Sequence, residues 1–360
     1  MGELLGTFCE LEALKLSLYV EGVAVTTSAR ATLAEMWGRP EITTADYATT
    51  SGVTLDLGQD VWVNAPIIEC TTAAASSGYV LEATETGFHI RGSMATARVR
   101  PIPVPQYQGR LNRWGEPFTR YVNTHADRVR ISPVVGCANG CQFCDVPSLQ
   151  EYRLNPIDRI LDAVDVALND PVLPPRHILI SGGTPRPENY RYLHDTYEAI
   201  SDAFAGWEID VMMTPATGLL DPESLLNLGI HGICANLELY GENAARQIVP
   251  EKSALTRGHY LNFIARAVDL FGIGRVRSLL LLGLEDLEST MAGVEALAER
   301  GCDPVLSPFR PHQSTPLRFH APPTYRALRD AVVGARRVLS RFPGVMLGPR
   351  CRPCSHNAIP

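Results

Sequence analysis

From about Asp127 onward the chain alternates strand-like apolar runs with helix-like segments, and this alternation limits its fold more than any other feature. The strand-like runs are Val129–Val135, His177–Ser181, Glu208–Met213, Gly232–Leu239, Arg275–Leu282 and Pro304–Ser307. Helix-like segments follow at about Pro156–Leu168, Asn189–Ala205, Pro222–Leu228, Arg257–Phe271, Leu287–Arg300 and Pro323–Arg341. Strands joined by helical crossovers lie parallel, and a long series of such units curls into a barrel. The expectation is an α/β fold with a (βα) TIM-type barrel, partial or full, whose chemistry sits at the C-terminal ends of its strands.

Residues 1–125 read differently. They are rich in Thr, Val, Ala and Gly, with short apolar runs such as Leu16–Val23 and Val61–Ile68 broken by turn residues, which predicts a small β-rich accessory domain. The Pro-punctuated stretch Pro101–Tyr107 is extended, because each proline biases its predecessor away from helix, and it serves as the connection onward. The plan is therefore an accessory domain over 1–125, a barrel over 126–320, and a C-terminal helix with a cysteine-containing tail over 321–360. A chain of 360 residues with 45% hydrophobic residues can bury a core of that size.

Charge narrows the partners. With a formal charge of -7 the chain offers no broad basic surface for a phosphate backbone, so no nucleic-acid partner is expected and a small-molecule substrate is. The start, Met1 to Leu5, lacks a secretory pattern, and the longest aliphatic run, Leu279–Leu282, is far short of the roughly 20 residues that cross a bilayer. A cytoplasmic protein without membrane contact is the expectation. Nine cysteines in a chain too large to need disulfide staples, five of them in two clusters, point to metal or cluster binding.

The first cluster, Cys137, Cys141 and Cys144, has the spacing C-x3-C-x2-C directly after the first barrel strand. Three thiolates from one loop can hold three irons of a [4Fe–4S] cluster and leave the fourth iron open. A structural zinc knuckle is the alternative, although zinc wants a fourth ligand nearby. With Phe143 before the last cysteine, the motif resembles the signature of the radical S-adenosylmethionine (SAM) enzyme superfamily. Other segments agree. Ser181-Gly182-Gly183-Thr184-Pro185 after the second strand resembles the family's Gly-Gly motif, which implies backbone contact with the methionine amino group of SAM. Asn236 and Glu238, two apart on the fourth strand, resemble the strand-four Glu of the biotin synthase/HydE-like branch, and Arg257 falls where that branch has an Arg for the SAM carboxylate. A plain Glu238–Arg257 ion pair is the competing reading. Leu280-Leu281-Leu282-Gly283-Leu284-Glu285 at the end of the fifth strand resembles the family's G-x-I-x-G-x-x-E segment, which backs the adenine, in its second half only. Phe309-Arg310-Pro311 through Ser314-Thr315-Pro316-Leu317 is similar to the branch's aromatic-x-Pro…Gly-Thr-Pro-Leu run, with Ser314 in place of Gly. The resemblance covers roughly residues 128–320.

That resemblance implies reductive cleavage of SAM at a [4Fe–4S] cluster to a 5'-deoxyadenosyl radical acting on a small, amino-acid-like substrate, with an electron donor such as a flavodoxin or ferredoxin. Sulfur insertion from an auxiliary cluster and 3-amino-3-carboxypropyl transfer from SAM stay open, as does a non-catalytic iron–sulfur or zinc scaffold. Arg310 and His312, in the loop after the sixth strand, are candidates for substrate contact; Asn123, His125, Met212 and Met213 are candidates for the cavity wall. The second cluster is Cys351 and Cys354. Followed by Ser355 and His356, this pair can serve a second iron–sulfur cluster or a zinc, act as redox or substrate-facing thiols, or be ordinary tail residues. As ligands they need help, for which Cys234, Cys302, Cys9 and Cys70 are the candidates. His177, His231, His259 and His320 have no sequence partner at metal spacing and read as structural.

Overall fold

The computed structural model describes residues 8–38, 52–67, 78–92, 96–149 and 151–360. In the N-terminal region α1 (Glu10–Glu21), β1 (Ala24–Val25), α2 (Thr27–Met36), β2 (Gly52–Asp56), β3 (Trp62–Pro66), β4 (Tyr79–Thr84), β5 (Gly87–Gly92) and β6 (Thr96–Pro101) follow in order. The strands form one sheet in the order β1-β4-β5-β6-β2-β3. Most of the apolar run Leu16–Val23 is the second half of α1, not a strand. Its residues from Leu14 to Tyr19 are all buried, so the helix shows no polar face, and periodicity cannot tell such a segment from a buried strand. Cys9 is the N-cap of α1, its sulfur accepting from the Glu12 amide while Glu12 reaches back to the Cys9 amide. Ile68 and Cys70 lie outside the described residues.

The second sheet begins with the hairpin β7 (Val122–His125) and β8 (Arg128–Ile131), closed by Ala126 and Asp127. The short strands β9 (Val134–Val135) and β10 (Arg153–Leu154) pair with each other, and α3 (Ile157–Leu168) follows. Then come β11 (His177–Ile180), α4 (Tyr190–Ala203), β12 (Ile209–Met212), α5 (Pro222–Asn227) and β13 (Gly232–Cys234). The helices α6 (Glu242–Ile248), α7 (Pro250–Ala254) and α8 (Arg257–Phe271) lead to β14 (Val276–Leu282), α9 (Leu287–Ala298), β15 (Asp303–Pro308) and α10 (Tyr325–Leu339). The order is β15-β14-β13-β12-β11-β8-β7, parallel from β8 to β15 with β7 antiparallel at the edge. Strand β14 reads Val-Arg-Ser-Leu-Leu-Leu-Leu, the near-continuous apolar pattern of a strand covered on both faces.

The fold is α/β, with a partial βα barrel beside a small β-rich N-terminal sheet. Edge strands β7 and β15 do not pair, and the C-terminal tail lies between them. Ser307 Oγ donates to the Asn357 carbonyl at 2.8 Å and the Ile359 amide donates to the Leu306 carbonyl at 2.9 Å, while the His356 ring stacks 6.4 Å from that of His125 on β7. The N-terminal region covers the tail from outside: Lys15 Nζ donates to the Ser355 carbonyl at 3.0 Å and Tyr19 Oη to the His356 carbonyl at 2.6 Å. Among the described residues no helix is long and apolar enough to cross a membrane.

Candidate functional site

The loop carrying Cys137, Cys141 and Cys144 leaves β9 at the C-terminal mouth of the partial barrel. Two glycines let it approach its neighbours. Gly136 has φ 76°, and a Cβ there would stand 2.1 Å from the Glu151 carbonyl oxygen; a Cβ on Gly183 would stand 1.6 Å from the Gly136 carbonyl oxygen. The Gly182-Gly183 turn after β11 is thus packed backbone to backbone against the cysteine loop, a contact no other residue type permits. Cys137 Sγ accepts from the amides of Asn139 at 3.3 Å and Thr184 at 3.1 Å. Asn139 Nδ2 donates to Thr184 Oγ1 at 3.0 Å and Thr214 Oγ1 at 3.2 Å, joining the loops after β9, β11 and β12. From the other side the Gly140 amide donates to Glu251 Oε2 at 2.8 Å and the Gln142 amide to the Ile248 carbonyl at 2.9 Å.

The three cysteines, Phe143, Gly182, Gly183 and Thr184 line one cavity of about 210 Å³, together with Met212, Met213, Asn236, Glu238 and Lys252. The three sulfurs do not all fall within 4.8 Å of one another. A single tetrahedral zinc would hold them roughly 3.8 Å apart. Among the described residues no histidine or fourth cysteine lines the cavity. Burial pushes the Cys141 thiol up to about 12 and that of Cys144 to about 11.

Strand β13 is shorter than its apolar run, ending at Cys234, so strand alternation does not carry Asn236 and Glu238 to the cavity. Glu238 has φ 68°, and its backbone exchanges hydrogen bonds with Leu279 and Leu281 of β14, at 2.9 and 2.8 Å. A left-handed conformation costs a non-glycine residue about 1–2 kcal/mol, and the β14 bonds hold it there. Glu238 Oε1 accepts from Lys252 Nζ at 2.9 Å, with the two side chains only 9% and 12% exposed. Lys252 Nζ also donates to the Asn236 carbonyl at 3.3 Å. Burial works against its charge, but Glu238 beside it dominates together with Tyr260 and Cys141, and the proton is held more firmly than usual. Asn236 Oδ1 accepts from Cys234 Sγ at 3.0 Å and from the Leu279 amide at 3.1 Å.

Lys252 escaped the sequence reading: it stands on the five-residue helix α7 and bears no helical spacing to Glu238. The Glu238–Arg257 pair does not form. Arg257 Nη1 instead donates to the Tyr240 carbonyl at 3.0 Å, Nη2 pairs with Glu242 at 3.2 Å, and the guanidinium lies 4.4 Å from the Tyr240 ring centroid. It lines a neighbouring cavity of about 230 Å³ that shares only Lys252 with the cysteine cavity.

Other candidates also lie apart from the cysteine cavity. Gly283 has φ 96° and its carbonyl accepts from His320 Nε2 at 3.0 Å, while Glu285 accepts from the amides of Tyr240 and Gly241 at 3.0 and 2.7 Å. Arg310 donates to Asn64 Oδ1 at 2.9 Å and to the Asn64 carbonyl at 2.5 Å, over the Tyr19 ring at 4.8 Å, and so ties the loop after β15 to the N-terminal sheet. His312 is exposed and bonded to Ser314 Oγ at 2.8 Å. Cys351 and Cys354 lie at the opposite, N-terminal end of the strands. None of the four cysteines considered as their helpers joins them within the described residues: Cys234 and Cys302 are buried in the barrel and Cys9 caps α1, while Cys70 lies outside those residues. His356 Nδ1 is bonded to the Pro353 carbonyl at 2.7 Å. The residues gathered around the pair are Asp127 and His177.

No family model matches the chain, and no curated protein matches it. Solved structures do. The FeFe-hydrogenase maturase HydG from Carboxydothermus hydrogenoformans is 17% identical, with a TM-score of 0.46, over 64% of this chain and 57% of that one. A radical SAM methyltransferase from Sphaerobacter thermophilus is 16% identical, with a TM-score of 0.48, over 80% and 82% of the two chains. SuiB from Streptococcus suis, solved bound to S-adenosylmethionine, is 12% identical, with a TM-score of 0.47, over 63% and 47%. The chain thus spans little more than half of HydG and under half of SuiB.

Proposed function

We propose that the chain is a radical SAM enzyme in which Cys137, Cys141 and Cys144 hold three irons of a [4Fe–4S] cluster and SAM binds beside the open iron. The observation that carries this reading is the meeting of the C-x3-C-x2-C loop with the Gly182-Gly183 turn, Glu238 and Lys252 around one cavity at the C-terminal mouth of a partial βα barrel. The donor set fits the group: three thiols line one cavity without meeting the spacing of a single-ion site, and among the described residues no fourth cysteine or histidine lines that cavity to close the coordination. Such a cluster supplies one electron that splits a carbon–sulfur bond of the SAM sulfonium, and an external one-electron donor such as a flavodoxin or ferredoxin restores it.

The residues of the chain bind, orient and shield. The amides of Asn139 and Thr184 bond to Cys137 Sγ, which stabilises a thiolate there and fixes its direction. Gly182 and Gly183 bring the turn after β11 against the cysteine loop, where a Cβ at Gly183 would meet the Gly136 carbonyl oxygen, and so set backbone groups on the wall of the cavity. Lys252, held charged by Glu238, is the cation that faces the cavity and takes the role of binding the SAM carboxylate, which the family resemblance gives to Arg257. Met212 and Met213 give the wall an apolar surface that excludes water from a reactive intermediate. Glu238 and the Phe309–Leu317 loop support a position near the biotin synthase/HydE-like branch; the siting of Arg257 departs from it. The acidic surface favours a small-molecule substrate.

The test is anaerobic reconstitution with iron and sulfide, followed by dithionite and SAM. Methionine and 5'-deoxyadenosine formed in stoichiometric amounts support the reading; methylthioadenosine redirects it to aminocarboxypropyl transfer, and intact SAM overturns it.

A further inference from the structure

A cavity of about 540 Å³, larger than the cysteine cleft, forms a hollow at the N-terminal ends of the barrel strands. On its wall four side chains from three distant parts of the chain converge. Asp127 is at the tip of the β7–β8 hairpin, His177 opens β11, and Cys351 and Cys354 come from the tail. One ligand atom from each lies within 4.8 Å of all the others. We infer that these four residues form a mononuclear zinc site that clips the C-terminal tail to the base of the barrel.

The spacing is that of four ligands around one small ion. Cys351 Sγ is 3.2 Å and Cys354 Sγ 3.4 Å from Asp127 Oδ1; His177 Nε2 is 3.3 Å from Cys354 Sγ and 3.7 Å from Asp127 Oδ1. Zinc with bonds of about 2.3 Å to sulfur and 2.0–2.2 Å to nitrogen or oxygen sets tetrahedral neighbours roughly 3.3–3.8 Å apart, a few tenths of an ångström from the separations found here. Two sulfurs, one imidazole and one carboxylate match the borderline softness of zinc, whereas magnesium and calcium would want oxygen alone. A tail pair with no third cysteine beside it among the described residues does not supply the ligands of a four-iron cluster. The ligands are also held from behind. Asp127 presents Oδ1 to the site because Arg176 Nε takes Oδ2 at 2.7 Å. Arg350, next to Cys351, forks onto Asp303 at 2.6 and 3.1 Å and fixes the tail at the start of β15. Two thiolates and a carboxylate leave a zinc site with a net charge of -1, and Arg128 and Arg176 on the same wall offset it.

Four protein ligands leave no open position, so the site is structural. It lies at the wrong end of the barrel to donate sulfur to the cysteine cleft: β11 runs from His177 to Ile180 and the cleft begins at Ser181, roughly 13 Å away at 3.3 Å per residue. The inference does not depend on the proposed reaction.

The test is zinc analysis and zinc-edge X-ray absorption on the full-length protein, purified and then exchanged into metal-free buffer. One zinc per chain with a first shell of two sulfurs and two nitrogen or oxygen atoms is expected. His177→Ala should release the zinc at chelator concentrations that the wild type withstands and should open residues 345–360 to protease. The Cys137→Ala/Cys141→Ala/Cys144→Ala variant should keep it, which separates this site from the cluster site. A wild type without zinc, a shell of three or more sulfurs, a Cys351–Cys354 disulfide in the metal-free protein, or iron lost when the tail cysteines are replaced would each overturn the assignment.

Discussion

The same strands carry cysteine sites at both ends, and the two are built in opposite ways. At the C-terminal mouth three thiols come from eight consecutive residues, and backbone contacts spread them around a cavity. At the N-terminal base the thiols come from the tail, the other donors from a hairpin tip and a strand start, and all four crowd into the space of one ion. On the proposed reading, the separation of the donors, more than their number, distinguishes a site for a cluster from a site for a single metal. The location matches: the mouth of a βα barrel is where loops are free to do chemistry, and the base is where contacts serve stability.

Removing one donor should separate the ends most sharply. Cys141→Ala is expected to lower SAM cleavage by more than about 1,000-fold and to abolish iron loading, with zinc retained; iron and zinc assays on the same sample decide it. Gly183→Ala forces a Cβ against the Gly136 carbonyl oxygen and should cost more than about 3 kcal/mol or displace the loop so that iron fails to load. Gly206→Ala, at φ 95° with open space around it, should cost only about 1–2 kcal/mol when both variants are compared with the wild type by urea titration. Lys252→Met leaves Glu238 buried without its partner and should cost about 3–5 kcal/mol and weaken SAM binding, and Glu238→Gln in the same chain should restore part of the stability but not the SAM affinity.

A pH-dependent effect belongs to Lys15, which donates to the Ser355 carbonyl of the tail. Burial is the main influence on Lys15, against Glu12 and with Arg352, and holds it down to about 7. In the unfolded chain it titrates near 10.4. Below pH 7 both states carry the proton and the cost of burying it is fully present; between pH 7 and about 10 only the unfolded state keeps it, so stability rises with pH. The wild-type urea midpoint should climb across that window more steeply than that of Lys15→Met.

Much of the barrel was legible in the sequence because each βα unit carries its own period, and the strand starts at His177, Gly232 and Asp303 differ little from the apolar runs. The cysteine loop was legible for the same reason: its donors are contiguous. Glu238 was singled out by its place in the strand-four run, but not its geometry, since β13 ends early and a left-handed backbone turns the side chain into the cavity. Lys252 and the Asp127–His177 pair left no sequence signal. Their partners lie 14, 224 and 177 residues away, at separations set by the way the sheet curls. Helix α1 was hidden by burial on all sides, and Arg310 was a reasonable substrate candidate until the fold brought Asn64 beside it.

The two ends are expected to bind different metals independently. Iron and zinc should be counted together in the anaerobically reconstituted wild type, in Cys137→Ala/Cys141→Ala/Cys144→Ala and in Cys351→Ala/Cys354→Ala. About four irons and one zinc per chain, with each variant losing only its own metal, is the predicted result. Iron that falls in the tail variant, or zinc that leaves with the loop cysteines, would contradict it.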